Sequence, residues 1–231
     1  MGSLELTALD GGRVATSGPD VPSTTAGCTA FAVLAVGNRL HEFTAGDAQF
    51  TRGQAKSLGA SEQATYRMHG GLVRVSAGQE VTPQLVVTNY LHIAWEGKDR
   101  SLGTVIYQSD TSAALALLDA VEIQEEAAGI ILRPRDERLS ILQNSQHAPG
   151  VVVPVRGQGM LQFSRNSSYW EAKRPAWAGL KARGGDLYAE QTYEASATML
   201  LFGPRAVTRI YVNDKRNELA GRAADVAAEW N

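Results

Sequence analysis

Apolar residues in this chain recur in short bursts whose period is mostly two. Ser3 to Ala8 alternates like a strand and stops at Asp10-Gly-Gly12. The polar stretch from Arg13 to Gly27, rich in Gly, Pro, Ser and Thr, reads as a loop or extended arm. Cys28 to Val36 predicts an apolar strand, Gly37-Asn38 a two-residue turn, and Arg39 to Thr44 the returning strand. Glycine and asparagine tolerate the positive φ that tight hairpin turns require. Asp47 to Leu58 predicts a short helix capped by Asp47 and interrupted by Gly53.

Leu72 to Ser76 is expected to be a strand, and so is Gln84 to Trp95. In the latter, Leu85, Val87, Leu91, Ile93 and Trp95 form one greasy face, while the other mixes Tyr90, His92 and Ala94 with aliphatics. Leu102 to Gln108 adds a strand, and Asp110 is placed to cap a central helix, Ser112 to Val121. Further strands are expected at Gly129 to Leu132, Leu139 to Leu142, Val151 to Val155 and Met160 to Phe163. Leu187 to Thr192, Ala197 to Phe202 and Val207 to Val212 continue the series, with Gly203-Pro204 as a hairpin turn. Asp214 is placed to cap a closing helix carrying Leu219, Ala223, Val226 and Trp230 on one side.

Many short strands and two helices predict a β-rich α+β fold, with an antiparallel sandwich or barrel-like core. Residues 1–27 are expected to form a strand and extended arm, and residues 28–231 a single β-rich domain. Phe31, Val33, Leu34, Leu91, Trp95, Leu115, Leu118, Leu200 and Phe202 are the expected core. Helices do not alternate with strands, which argues against a doubly wound nucleotide-binding sheet.

Composition sharpens this only by exclusion. The chain has 231 residues, 44% of them hydrophobic, and a formal net charge of −2, so neither wholesale disorder nor a uniformly basic nucleic-acid coat is expected. One cysteine, Cys28, cannot form an internal disulfide and reads as an inert strand residue. The longest apolar run, Thr29 to Val36, is too short for a membrane helix, and Met1 to Leu6 lacks signal-peptide character. The expected setting is therefore the cytoplasm or a virion, without membrane attachment.

No catalytic signature emerges. There is no Gly-x-Ser-x-Gly, no phosphate loop and no zinc spacing among His41, His69, His92 and His147. Tyr169 and Lys173 have the Tyr-x-x-x-Lys spacing of short-chain dehydrogenases, but the dinucleotide turn that should accompany it is missing. Tyr90, His92 and Glu96 on one strand face are the best dispersed polar site, and the enzyme reading rests on them alone. No cofactor and no metal is expected.

Charge is unevenly distributed. Between Arg156 and Arg183 six basic residues face only Glu171, whereas Asp119, Glu122, Glu125 and Glu126 form an acidic run without a basic residue. Within the basic stretch Tyr169, Trp170 and Trp177 interleave with Lys173, Arg174, Lys181 and Arg183, and a Gly-Gly pair closes it as a hinge. Aromatics beside cations suit protein interfaces, and they also suit stacking on sugars or bases. The acidic run of an adjacent copy is the expected partner of this segment.

An arm like Arg13 to Gly27 stays mobile unless something ties it down, and neighbouring copies are the expected tie. The resulting expectation is a structural, non-enzymatic protein that assembles with copies of itself and with other particle proteins. A bacteriophage capsid, decoration or tail component is the type. A carbohydrate- or nucleic-acid-binding module using Tyr169 to Arg183 is the alternative.

Overall fold

A computed structural model of the chain describes residues 2–155, 159–190, 197–212, 221 and 223–231. In chain order the elements begin with β1 (Gly2–Thr7), β2 (Arg13–Gly18), β3 (Thr29–Val36), β4 (Arg39–Asp47) and helix α1 (Phe50–Leu58). Then come β5 (Ser61–Met68), β6 (Gly71–Val81), β7 (Val87–Glu96), β8 (Arg100–Tyr107) and α2 (Thr111–Asp119). β9 (Val121–Glu126), β10 (Gly129–Pro134), β11 (Leu139–Ile141), β12 (Gly150–Val155) and β13 (Gly159–Arg165) lead to α3 (Ser168–Lys173). The last are β14 (Leu180–Ala182), β15 (Gly185–Glu190), β16 (Ala197–Phe202), β17 (Ala206–Val212) and β18 (Ala227–Trp230).

The fold is β-rich α+β with large antiparallel sheets, as the pattern predicts, and among the described residues no barrel closes. Two compact units share the chain. One comprises Met1–Ala8, Gly12–Thr29 and Gln143–Asn231, the other Leu9–Gly11 and Ala30–Leu142.

In the first unit β18, β2 and β1 form one antiparallel ribbon, and β14-β15-β16-β17-β13-β12 form a second sheet. Val14, Leu161, Phe163, Leu187, Leu201 and Phe202 are buried, the expected yield of alternating apolar strands packed on both faces. The glycine pair closing the basic segment is a close-approach site and not a hinge. A Cβ on Gly185, at φ +146, would lie 2.0 Å from the Phe202 carbonyl oxygen, and one on Gly184 would lie 2.7 Å from that of Val226.

In the second unit the sheet order is β3-β4-β8-β7-β6-β5, and β11 also pairs with β3. Helix α1 lies against β4, β7 and β8, while hairpin β9–β10 packs against β4 and β8. Glycine at the Gly37 turn (φ +60) lets β3 and β4 fold back, and Asp110 caps α2 by accepting from the Ala113 amide at 2.8 Å.

Three readings change. Arg13 to Gly18, taken as the start of a loop, is β2, and its partners are β1 and β18. Leu4, Leu6 and Val14 are core residues, so removing residues 1–27 would strip the first unit's core along with any arm. The closing helix fails at its far end. Residues 213–220 and 222 lie outside the described region, but Ala227–Trp230 is strand β18, with Trp230 opposite Val14. Reciprocal backbone bonds between Arg13 and Asn231 (2.9 and 2.8 Å) hold that pairing, so tertiary hydrogen bonding outweighs the helical spacing of the apolar residues. Finally, Asp47 does not cap α1: the N-cap is Gln49, whose amide donates to Asp47 Oδ1 from outside the helix.

Of the nine expected core residues, Val33, Leu34, Trp95, Leu118, Leu200 and Phe202 are buried. Phe31, Leu91 and Leu115 are half-buried.

Candidate functional site

The basic segment divides into a packed half and an exposed half. Helix α3 is docked through Asn144, whose Oδ1 accepts from the Tyr169 amide (3.0 Å) and whose Nδ2 donates to Ser168 Oγ (2.7 Å). This seats Trp170 in a cluster with Tyr188, Leu200, Phe202 and Val207, and Tyr169 packs edge-on against it at 5.3 Å. The Lys173 ammonium lies 5.7 Å over the Tyr169 ring, and the Arg174 guanidinium lies 5.0 Å over Phe202 while pairing with Glu171 (3.3 Å). Arg209 stacks on Trp170 at 5.3 Å and donates to Glu190.

Beyond α3 the picture reverses. Trp177 is 67% exposed and Leu180 56%. Lys181 pairs with Asp186 at 2.5 Å, a hydrogen bond that raises the lysine's pKa, and the Arg183 amide donates to Ala224 O. Arg156 lies outside the described residues. The structure thus gathers Tyr169, Trp170, Lys173 and Arg174 about one helix, with the cations laid on rings of their own chain. Trp177 faces solvent.

The acidic run is heavily used inside its own unit. Glu125 accepts from the amides of Lys98 (2.8 Å), Asp99 (2.6 Å) and Arg100 (2.9 Å), closing the turn between β7 and β8 like an anion in a nest. Glu122 faces Arg133 at 3.9 Å, Asp119 lies 3.8 Å from His69 Nε2, and Glu126 accepts from Gln124. Replacing Glu125 by Ala should therefore cost about 1–3 kcal/mol, the penalty for stranding amides that a carboxylate had satisfied. A urea titration of the variant checks this.

Two further features escaped the sequence pattern. The first is the end of hairpin β6–β7. Val81 (60%), Leu85 (82%), Val86 (56%) and Val87 (57%) all face solvent there. Three hydrogen bonds close the turn: the Thr82 amide donates to Val86 O, the Leu85 amide to Thr82 O, and the Val86 amide to Thr82 Oγ1. Below it the hairpin is braced, since Tyr90 covers Gly78 and donates to Leu58 O at 2.6 Å, and Tyr107 donates to Glu80. Leu85 sits at φ +60, a region where a leucine costs roughly 1–2 kcal/mol. Alternation could name Leu85 and Val87 as apolar, but not that the strand expected from Gln84 begins only at Val87 and leaves both side chains exposed.

The second is a cleft of about 480 Å³ between α1 and strands β5 to β7. Glu96 holds Arg52 through two bonds (2.8 and 2.9 Å) and Arg74 through one (3.1 Å), and Arg74 also reaches Glu62 (2.8 Å). The Arg52 hydrogen bond lowers the Glu96 pKa, and the Arg74 bond does the same for Glu62. His92 and Glu96 both line this cleft, as their shared strand face implies, whereas Tyr90 is committed to the hairpin base. His92 is 1% exposed. Its Nε2 donates to Gln54 Oε1 (3.2 Å), because the Gln54 amide nitrogen is donating to Thr44.

Burial lowers the His92 pKa below the ordinary 6.5, so the folded state holds the ring neutral. The unfolded chain takes up the proton first as pH falls. His92 thus contributes stability above about pH 6.5 that is lost below it. Carbon-bound ring-proton shifts across pH 4–8 should show His92 titrating below the solvent-exposed histidine range.

No family model, curated protein or solved structure matches the chain. No helix among the described residues is long and apolar enough to cross a membrane.

Proposed function

We propose that this chain is a non-enzymatic assembly subunit that packs with copies of itself, a structural component of a particle such as a bacteriophage capsid, decoration or tail part. The observation that carries the reading is the apolar hairpin end. Leu85 bears a backbone cost and an exposure cost together, with no return among the described residues. A surface that covers it on association supplies that return. The chain itself offers a matching patch in Trp177 and Leu180, so one copy's hairpin can seat on the next copy's exposed tryptophan. Such a head-to-tail contact builds rings or filaments. A lipid surface fits less well. No Lys or Arg occurs between Val75 and Gly97, which leaves the hairpin nothing to attract anionic headgroups.

Native mass spectrometry of the wild type should give multiples of the 24.7 kDa chain. Leu85→Asp and Trp177→Ala should each return it to the single-chain mass at the same concentration. A wild type that stays at single-chain mass would sink the reading. Binding to anionic vesicles that Leu85→Asp abolishes would replace it with a membrane role. Oligonucleotide binding with a steep salt slope, lost in Lys173→Glu/Arg174→Glu, would replace it with a nucleic-acid role.

A further inference from the structure

The α1/β5–β7 cleft has an asymmetry between donors and acceptors. Its carboxylate oxygens are all engaged: Glu96 Oε1 and Oε2 and Glu62 Oε2 accept from the two arginines, and Glu62 Oε1 accepts from Thr65. Its donors are not. Arg52 Nη1, Arg74 Nη2, the Lys56 ammonium and the Ser76 hydroxyl have no hydrogen-bond partner among the described residues, although all four side chains line the cleft. The two arginines balance the two glutamates, so Lys56 leaves the site with one net positive charge. The arginines are also held in place by a shared carboxylate, and fixed guanidinium donors are the arrangement that suits oxyanion recognition.

Space accompanies the charge. Ala55, Ala60 and Ala94 lie on α1, after it, and on β7, where larger side chains would fill the volume. About 480 Å³ is the size of a small-metabolite pocket and exceeds what an inorganic ion needs.

We propose that this cleft binds a small organic molecule through an anionic carboxylate or phosphate group, with Lys56, Arg52 and Arg74 receiving the anion and the alanine-lined space receiving its carbon body. The proposal does not depend on the assembly reading, because no residue of the hairpin end or of Trp177–Leu180 takes part.

Two-dimensional amide NMR on the full chain, titrated separately with inorganic phosphate and with succinate, tests it and separates the two anion types. Saturable shifts are expected at Arg52, Lys56 and Ser76 with at least one probe. Lys56→Glu should weaken that binding at least tenfold. Ala55→Leu, which narrows the cleft without altering charge, should weaken succinate more than phosphate. Arg39→Glu, the same charge change at the β3–β4 turn, should leave binding unaltered. No saturable shift with either probe overturns the proposal. So does equal loss in Arg39→Glu, which would reduce the effect to diffuse charge attraction. Unchanged succinate binding in Ala55→Leu would remove the cleft from the site. The variants' thermal transitions, followed alongside, identify any that fail to fold, and Lys56→Glu at an exposed helix position stands if Ala55→Leu does not.

Discussion

Phe163→Ala should lower the stability of the first unit by about 3–5 kcal/mol, the range for deleting a buried aromatic ring. Phe163 is fully buried on β13, with β12 on one side and β17 on the other, opposite Val151 and Thr208. A ring in that position touches both neighbouring strands, and strands held in register by hydrogen bonds on both sides cannot collapse into the void. The upper half of the range is therefore expected. Trp170, Trp177 and Trp230 all belong to this unit, so urea unfolding followed by tryptophan fluorescence reads the effect. A loss below about 1 kcal/mol, the size of an ordinary surface change, would mean that β13 is not a central strand.

Leu118→Ala should cost the second unit about 2–5 kcal/mol. The side chain is 2% exposed on α2, and Ala114 one turn earlier is buried beside it. The carbonyl of Leu118 is also bonded to His69 Nε2 at 3.1 Å, so the last turn of α2 is tied to the β5–β6 turn as well as packed. Helix slippage to refill the cavity is opposed by that bond. Hydrogen exchange at the amides of β7, which α2 packs against, should accelerate in step with the lost stability. Unchanged exchange there would place α2 outside the cooperative core.

Legibility followed local chemistry. Gly37-Asn38 and Asp110 were readable because a turn and a cap are settled by a few adjacent residues. β5 was not, since its polar sequence SEQATYRM carries no apolar alternation: as an edge strand it buries almost nothing. β9 hid inside the acidic run, because only the partner strand shows that Val121 and Ile123 point inward between Glu122 and its neighbours. β2 and β18 each looked like something else, as β2 is a strand through its pairing with β1 and β18 through its pairing with β2, both set by distant parts of the sheet. At the candidate sites, sequence placed His92 and Glu96 on one face correctly but had no way to bring α1 over them. Nor could it foresee that Trp170 would be spent on the core while Trp177 stayed outside.

The pairing of β2 with β18 sets an order of events in folding. Thr16 Oγ1 donates to the carbonyl oxygen of Ala227, 211 residues further along the chain. During synthesis the whole of Ala30–Leu142 leaves the ribosome before β18 exists. That unit is thus able to form first, whereas the ribbon of the first waits for its last strand. Until then one edge of β2 has backbone donors and acceptors open to any other strand, including the β18 of a neighbouring chain. Slow, concentration-dependent refolding with exchanged β18 strands is the misfolding route that this topology favours.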